Sequence, residues 1–265
     1  MKIGSVELNH FFSRKPRLST QVAAPPTFKA YVALCVHRDI KVATYKKVRQ
    51  LEMCPNPKIE VHVVEGDADI CRSRSRAATD FLLNTDCDVL FFIDDDIVFD
   101  PLDVRKVMRL CYDQHLDIVG APYAIKREAN PNFAIRALTN KEEFVCGKDG
   151  KVYEIMYLST GFMAIHRQVL MKMKESGQFH LCNPDSLRFY PFFMQQQRQI
   201  GENWLYLSED WSFCQVARDL GFKVWMDTTT KLGHIGPKTY DWDDFVRPAK
   251  KVQENVVYAV DYKLD

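Results

Sequence analysis

Apolar and polar positions fall in blocks along this chain, and the blocks predict strands and helices in turn. Ala30 to Val36 is a continuous apolar run that ends at His37-Arg38-Asp39, and Ile59 to Val64 is a second strand-like run. Between them, Val42 to Met53 carries a helical pattern. Pro55 and Pro57 stop it, because the residue before a proline leaves the α region. In Ile70 to Leu83, the residues Ile70, Ala77, Ala78, Phe81 and Leu82 share a helical face. Asp88 to Ile93 is the third strand. Asp100 is then placed to cap a helix that has Pro101 first, Asp103 in its first turn, and an apolar stripe of Val104, Val107, Met108 and Cys111. Asp117 to Ala121 follows as a strand. This alternation predicts an α/β fold with a mostly parallel central sheet flanked by helices.

The second half is less periodic. Tyr153 to Ile165 reads as strand-like runs broken by Ser159-Thr160-Gly161. Residues 178–206 are dense in aromatics and glutamines without a period, which predicts an irregular elaboration. Ser208 is expected to cap a helix with Phe213, Val216, Ala217 and Leu220 as its stripe and Gly221 at its end, before a strand from Phe222 to Met226. No internal repeat is visible. The expected organisation is an N-terminal arm or linker over 1–28, a folded domain over 29–236, and a C-terminal extension over 237–265 that packs on it.

Composition narrows the function classes. A formal net charge of +1 gives no global electrostatic case for nucleic acid or an anionic membrane. No apolar stretch is long enough to span a bilayer, and Met1 to Glu7 lacks the apolar segment of a secretory signal. Eight cysteines are scattered without a CxxC pair, which predicts free thiols in a reducing, cytoplasmic setting and no zinc site.

The chemistry concentrates at Phe91-Phe92-Ile93-Asp94-Asp95-Asp96-Ile97. Three carboxylates at the end of a buried strand repel each other and need positive charge, which a divalent cation with oxygen ligands supplies. Alternation along a strand lets Asp94 and Asp96 share a ligand while Asp95 points away. Glu209-Asp210 opens a helix, where the pair serves either as capping or as a general base, with Asp210 the better candidate. His234, between Gly233 and Gly236, is either structural or a further metal ligand. Arg72, Arg74 and Arg76 stand together with Asp69 nearby, and Arg72 and Arg76 share a helix face. They form either a solvated basic face or a cradle for a diphosphate, as do Lys126 and Arg127.

In this order the pieces resemble nucleotide-sugar glycosyltransferases of the GT-A fold. The resemblance covers roughly 30–236, through Val36-His37-Arg38, Arg72 to Arg76, the DxD motif at Asp94 to Asp96, Ser159 to Met163, Glu209-Asp210 and Gly233-His234. It is closest in look to stand-alone transferases of phages and large DNA viruses, and more distant from fungal mannan-polymerase-type enzymes. It implies a Rossmann-like sheet and a donor nucleotide sugar, UDP-linked by preference, held by Mn²⁺ or Mg²⁺. Asp96, Asp94 and His234 would be on the metal. Val36, His37, Arg38, Asp69, Arg72, Arg76, Asp95 and Lys126 would be around the nucleotide. Gly161 and Phe162 would border the sugar, and Asp210, with Glu209 beside it, would be the base of an inverting reaction. The aromatics Phe189, Tyr190, Phe192, Phe193 and Trp204 would face a glycan acceptor or simply pack the core. Two other readings stand beside this one. A nucleotidyltransferase acting on sugar phosphates would want a glycine-rich loop that His37 to Lys41 lacks. An inactive nucleotide-sugar or glycan-binding module would keep the fold alone.

Overall fold

The computed structural model describes residues 27–53, 56–127, 132–244, 249–252 and 255–261. Residues 1–26 of the expected arm, and Cys54, lie outside that range. Phe28 is within it, buried and stacked on Tyr112 with ring centroids 4.5 Å apart.

A seven-stranded sheet organises the molecule. Its first members are β1 (Lys29–Val36), β2 (Lys58–Glu65) and β3 (Val89–Asp94), followed after the short β4 (Ile97–Val98) by β5 (Ile118–Gly120). Across the sheet the order is β2, β1, β3, Phe162–His166, β5, Val224–Asp227, Val152–Ile155. Five of these strands point the same way. Phe162–His166 runs against both its neighbours, and Val152–Ile155 runs against Val224–Asp227. The class is therefore α/β with a mostly parallel, Rossmann-like sheet. β1 and β3 are almost wholly apolar because helices cover both their faces.

Local sequence explains the helices. In α1 (Val42–Glu52), Thr44, Val48 and Leu51 face inward. In α2 (Ile70–Asn84), Asp69 caps the start by accepting from the N–H groups of Cys71 and Arg72. In α3 (Pro101–Asp113), Asp100 accepts from Leu102 N at 2.8 Å and the predicted stripe is the buried one. A further helix, α4 (Arg167–Glu175), was not evident from the sequence pattern, since only Val169, Leu170 and Met173 face the core. In α5 (Glu209–Asp219), Ser208 stands at the cap position but makes no capping bond; its hydroxyl donates to the Asp210 carboxylate instead. Gly221, at φ +92°, ends that helix.

Inside the stretch 178–206, expected as irregular, lies an antiparallel hairpin of Gln196–Ile200 with Asn203–Leu207. Phe193, just before it, stacks on Phe213 at 4.4 Å and meets Phe92 edge-on, which ties this region to the core. Near the C-terminus, Asn255–Asp261 pairs antiparallel with Lys141–Gly147 along that strand's whole length. No helix among the described residues is long and apolar enough to cross a membrane.

Candidate active site

The parallel strands β1 and β3 deliver their carboxyl ends to one cleft of about 210 Å³. Such ends are where open α/β sheets take ligands. Cys35, His37, Asp67, Arg74, Asp94, Asp95, Asp96 and His234 line it. A wider groove continues outward past Arg38, Lys41, Lys126 and Gly236.

Asp94 is the last residue of β3, and Asp95 and Asp96 make the turn into β4. His234 sits 138 positions after Asp96, and a small sheet brings the two together. β4 pairs antiparallel with Gly233–Ile235, and Ile235 N–H donates to the Asp96 carbonyl at 2.8 Å. His234 Nε2 is then 3.4 Å from Asp96 Oδ1, while Nδ1 lies 2.9 Å from the Ala124 carbonyl. A carbonyl only accepts, so Nδ1 carries the proton and donates. Lys126 Nζ forms an ion pair with the other Asp96 oxygen. Burial works to raise the Asp96 carboxyl, but bonds from His234 and Lys126 hold it below the usual range. Asp95 is pushed up by burial and by Asp96 and Asp94.

Of the three arginines of α2, which the sequence offers together, Arg74 is the one the structure sets at the centre of the carboxylates. It is buried, and its Nη2 donates to both Asp94 oxygens, at 2.8 and 3.1 Å. Its Nη1 donates to Glu209 Oε1 at 2.6 Å, across 135 residues of chain. Burial disfavours its charge, yet Asp94, Glu209 and Asp210 together keep it protonated. Its Nε is buried without a partner. The signal was present: Arg74 precedes Ala77 and Ala78 by three and four positions, so it lies on the apolar stripe of α2. An arginine there must be paired.

Arg72 makes two 2.6 Å bonds to Asp67, and Arg76 approaches the same carboxylate at 3.7 Å. Hydrogen bonding to Arg72 holds the Asp67 carboxyl down. Asp67, another lining residue without a sequence signal, thus anchors both arginines. Asp69 works as the α2 cap. Val36 packs in the apolar core; the next residue, His37, opens on the cleft, and Arg38 on the groove.

Burial raises the Glu209 carboxyl, opposed by Arg74. Asp210 is buried and accepts from Trp211 N at 2.8 Å and from Ser208 Oγ. Gly161 backs directly on Asp94: its carbonyl accepts from Asp94 N at 3.0 Å. A Cβ there would come within 2.7 Å of Asp94 Oδ2 and of the Tyr123 hydroxyl. Tyr123 lies edge-on to His234, and burial beside Asp94 keeps its phenol protonated. The arrangement therefore offers one carboxylate–imidazole pair, one ammonium, and two carboxylates, Asp94 and Glu209, that share a single guanidinium. Phe192 and Phe193 are core residues, whereas Trp204 is exposed.

No protein-family profile matches the chain, and no curated protein is similar to it in sequence. Among solved structures, A197 from STIV is similar over 84% of this chain and 98% of its own, with a TM-score of 0.54 and 17% identity. GalNAc-T7, crystallised with UDP, GalNAc and Mn²⁺, is similar over 79% of this chain and 44% of its own, with a TM-score of 0.41 and 11% identity. The first likeness is one of fold; the second is too distant for anything to be drawn from it.

Proposed function

We propose that this chain is a metal-dependent glycosyltransferase of the GT-A type. It would move a sugar from a nucleotide-diphosphate sugar, UDP-linked as first choice, to a hydroxyl of a glycan or glycosylated acceptor. The supporting observation is the Asp96–His234 pair. The Ala124 carbonyl accepts from Nδ1–H, so the nitrogen 3.4 Å from Asp96 Oδ1 is Nε2, which donates to that oxygen when the imidazole is protonated and turns a lone pair to the same space when it is neutral. Two adjacent ligands of an octahedral ion at about 2.1 Å stand about 3 Å apart, so the pair fits Mn²⁺ or Mg²⁺. Among the described residues no group of three or more ligating side chains gathers. Two protein ligands, with donor oxygens and water, make the fitting set.

When bound, the ion neutralises charge that develops on the departing diphosphate. Lys126 supplies a second cation beside it and is free to turn toward phosphate once Asp96 is otherwise engaged. Both Asp94 oxygens accept from Arg74, so Asp94 would help hold the ion only through water. Glycine at 161 is what lets Asp94 and Tyr123 close on this backbone, since a Cβ would meet both at 2.7 Å. Arg74 holds Glu209 out of the reaction, which leaves Asp210 to take the acceptor proton if the reaction inverts. His37 and Arg38 border the nucleoside.

A thermal-shift screen of nucleoside diphosphates and their sugars with and without Mn²⁺ tests this reading, because a ligand that binds the native state raises its melting temperature. A Mn²⁺-dependent shift with one nucleotide series is expected, together with nucleotide release from the matching donor and no pyrophosphate. Pyrophosphate release would indicate the nucleotidyltransferase instead, and no shift with any nucleotide would sink the proposal.

A further inference from the structure

The hairpin of Gln196–Ile200 with Asn203–Leu207 carries a surface that the donor cleft does not use. Its register sets Gln197 opposite Tyr206 and Gln199 opposite Trp204. With a period of two, these four side chains share one face, while Arg198, Leu205 and Leu207 share the other. The second face is satisfied: Leu207 is buried, Leu205 packs on the core, and Arg198 is ion-paired with Asp219 of α5. The first is open, with Trp204 68% and Tyr206 66% exposed. Where the hairpin meets α5, Gln197, Gln199, Trp204, Gln215, Arg198 and Asp219 enclose a cleft of about 420 Å³.

We infer that this platform binds a neutral glycan chain and is the acceptor subsite of the transferase proposed above, on which reading the acceptor role rests. Three features select that ligand. A flat indole covers the C–H face of a pyranose, and glutamine amides both donate to and accept from its hydroxyls. The open face carries no charged side chain, and the one cation in the cleft, Arg198, is already paired. A nucleic acid, which would also stack on the aromatics, needs free cations for its phosphates. Finally, the strand that bears Trp204 and Tyr206 runs straight into Glu209 and Asp210. Six residues at about 3.3 Å each place Trp204 within about 20 Å of Asp210, a span of a few sugar units.

The test uses the full chain and hexasaccharides of glucose, mannose, galactose and N-acetylglucosamine, titrated without nucleotide while tryptophan emission is followed. Trp204 is exposed, whereas Trp242 is buried and Trp211 and Trp225 are partly so, which makes Trp204 the reporter. Saturable binding of at least one series is expected. Trp204→Ala should weaken it about tenfold or more by calorimetry, and Trp204→Phe should restore most of it. Trp204 is a surface residue, and an unchanged far-ultraviolet spectrum and melting temperature establish that the variant is folded. No binding by any series, or binding that Trp204→Ala leaves intact, would overturn the inference. So would a concentration-dependent dimer abolished by Trp204→Ala, since a second copy would then be the occupant. The nucleotide screen is independent: glycan binding with no nucleotide response would remove the acceptor role and keep the platform.

Discussion

Arg74 decides how the acidic residues of the cleft divide their work. It is the shared partner of Asp94 and Glu209, and it is buried. Removing one partner from such a cluster leaves uncompensated buried charge, which costs about 3–5 kcal/mol. Arg74→Met should therefore lower unfolding free energy by that order in urea titrations, although methionine fills much of the volume. Asp96→Asn and His234→Ala should each weaken Mn²⁺ binding at least about tenfold, measured by the Mn²⁺-dependent thermal shift with nucleotide. Acidity acts on the same carboxylates. Asp67 and Asp96 have folded-state values below the ordinary one, so the native state binds fewer protons than the unfolded chain. Their stabilisation is present above about pH 4 and is lost as pH falls through the folded values. The melting temperature should drop on that acid branch, and less steeply in Asp67→Asn; parallel branches would discount the role of Asp67. The DxD carboxylates were legible because charge at the end of an apolar strand is conspicuous. Arg74 was not separated from its neighbours, because three arginines at alternate positions look alike until the apolar stripe is drawn through them.

At the scale of elements, strand and helix limits in the first half came out within a residue or two, because caps and prolines mark them. The second half was harder for physical reasons. The strand Phe162–His166 enters the sheet antiparallel between β3 and β5, and no local pattern encodes a direction. Its closeness to β5 shows in Gly120, where a Cβ would meet the Phe162 carbonyl oxygen at 2.1 Å. Gly120→Ala should cost about 3 kcal/mol or more in chemical denaturation, because two backbones would have to part. The strands Lys141–Gly147 and Asn255–Asp261 find each other across more than a hundred residues. Neither run carries a local signal that names its partner, although Asn255–Asp261 is rich in β-branched and aromatic residues. Tyr258 nevertheless packs on Phe133, with ring centroids 4.7 Å apart, and Asn255 bonds to Asp149. Deleting residues 249–265 should therefore lower the melting temperature by several degrees and bare the edge of Lys141–Gly147, which a thioflavin or light-scattering assay would register as aggregation.

For the whole molecule, the sheet serves as a frame that brings α2, β3 and Gly233–Ile235 to one opening, with α5 tied to it through the Arg74–Glu209 bond. The frame follows from alternation of strand and helix and was readable; the convergence of α2, β3, α5 and Gly233–Ile235 was implied only by a resemblance of motif order. The structure assigns the distances that motif order lacks, above all the 3.4 Å between Asp96 and His234. The shared guanidinium also has a consequence in time. During synthesis Asp94 emerges twenty residues after Arg74, but Glu209 follows only 135 residues after it, and His234 later still. A growing chain can pair Arg74 with Asp94 early, yet it has neither the second carboxylate nor the imidazole until residues 209 and 234 have followed. The cleft therefore takes its final lining residue long after the strands that open it, and a chain that stops short of Gly233–Ile235 lacks His234 from that lining.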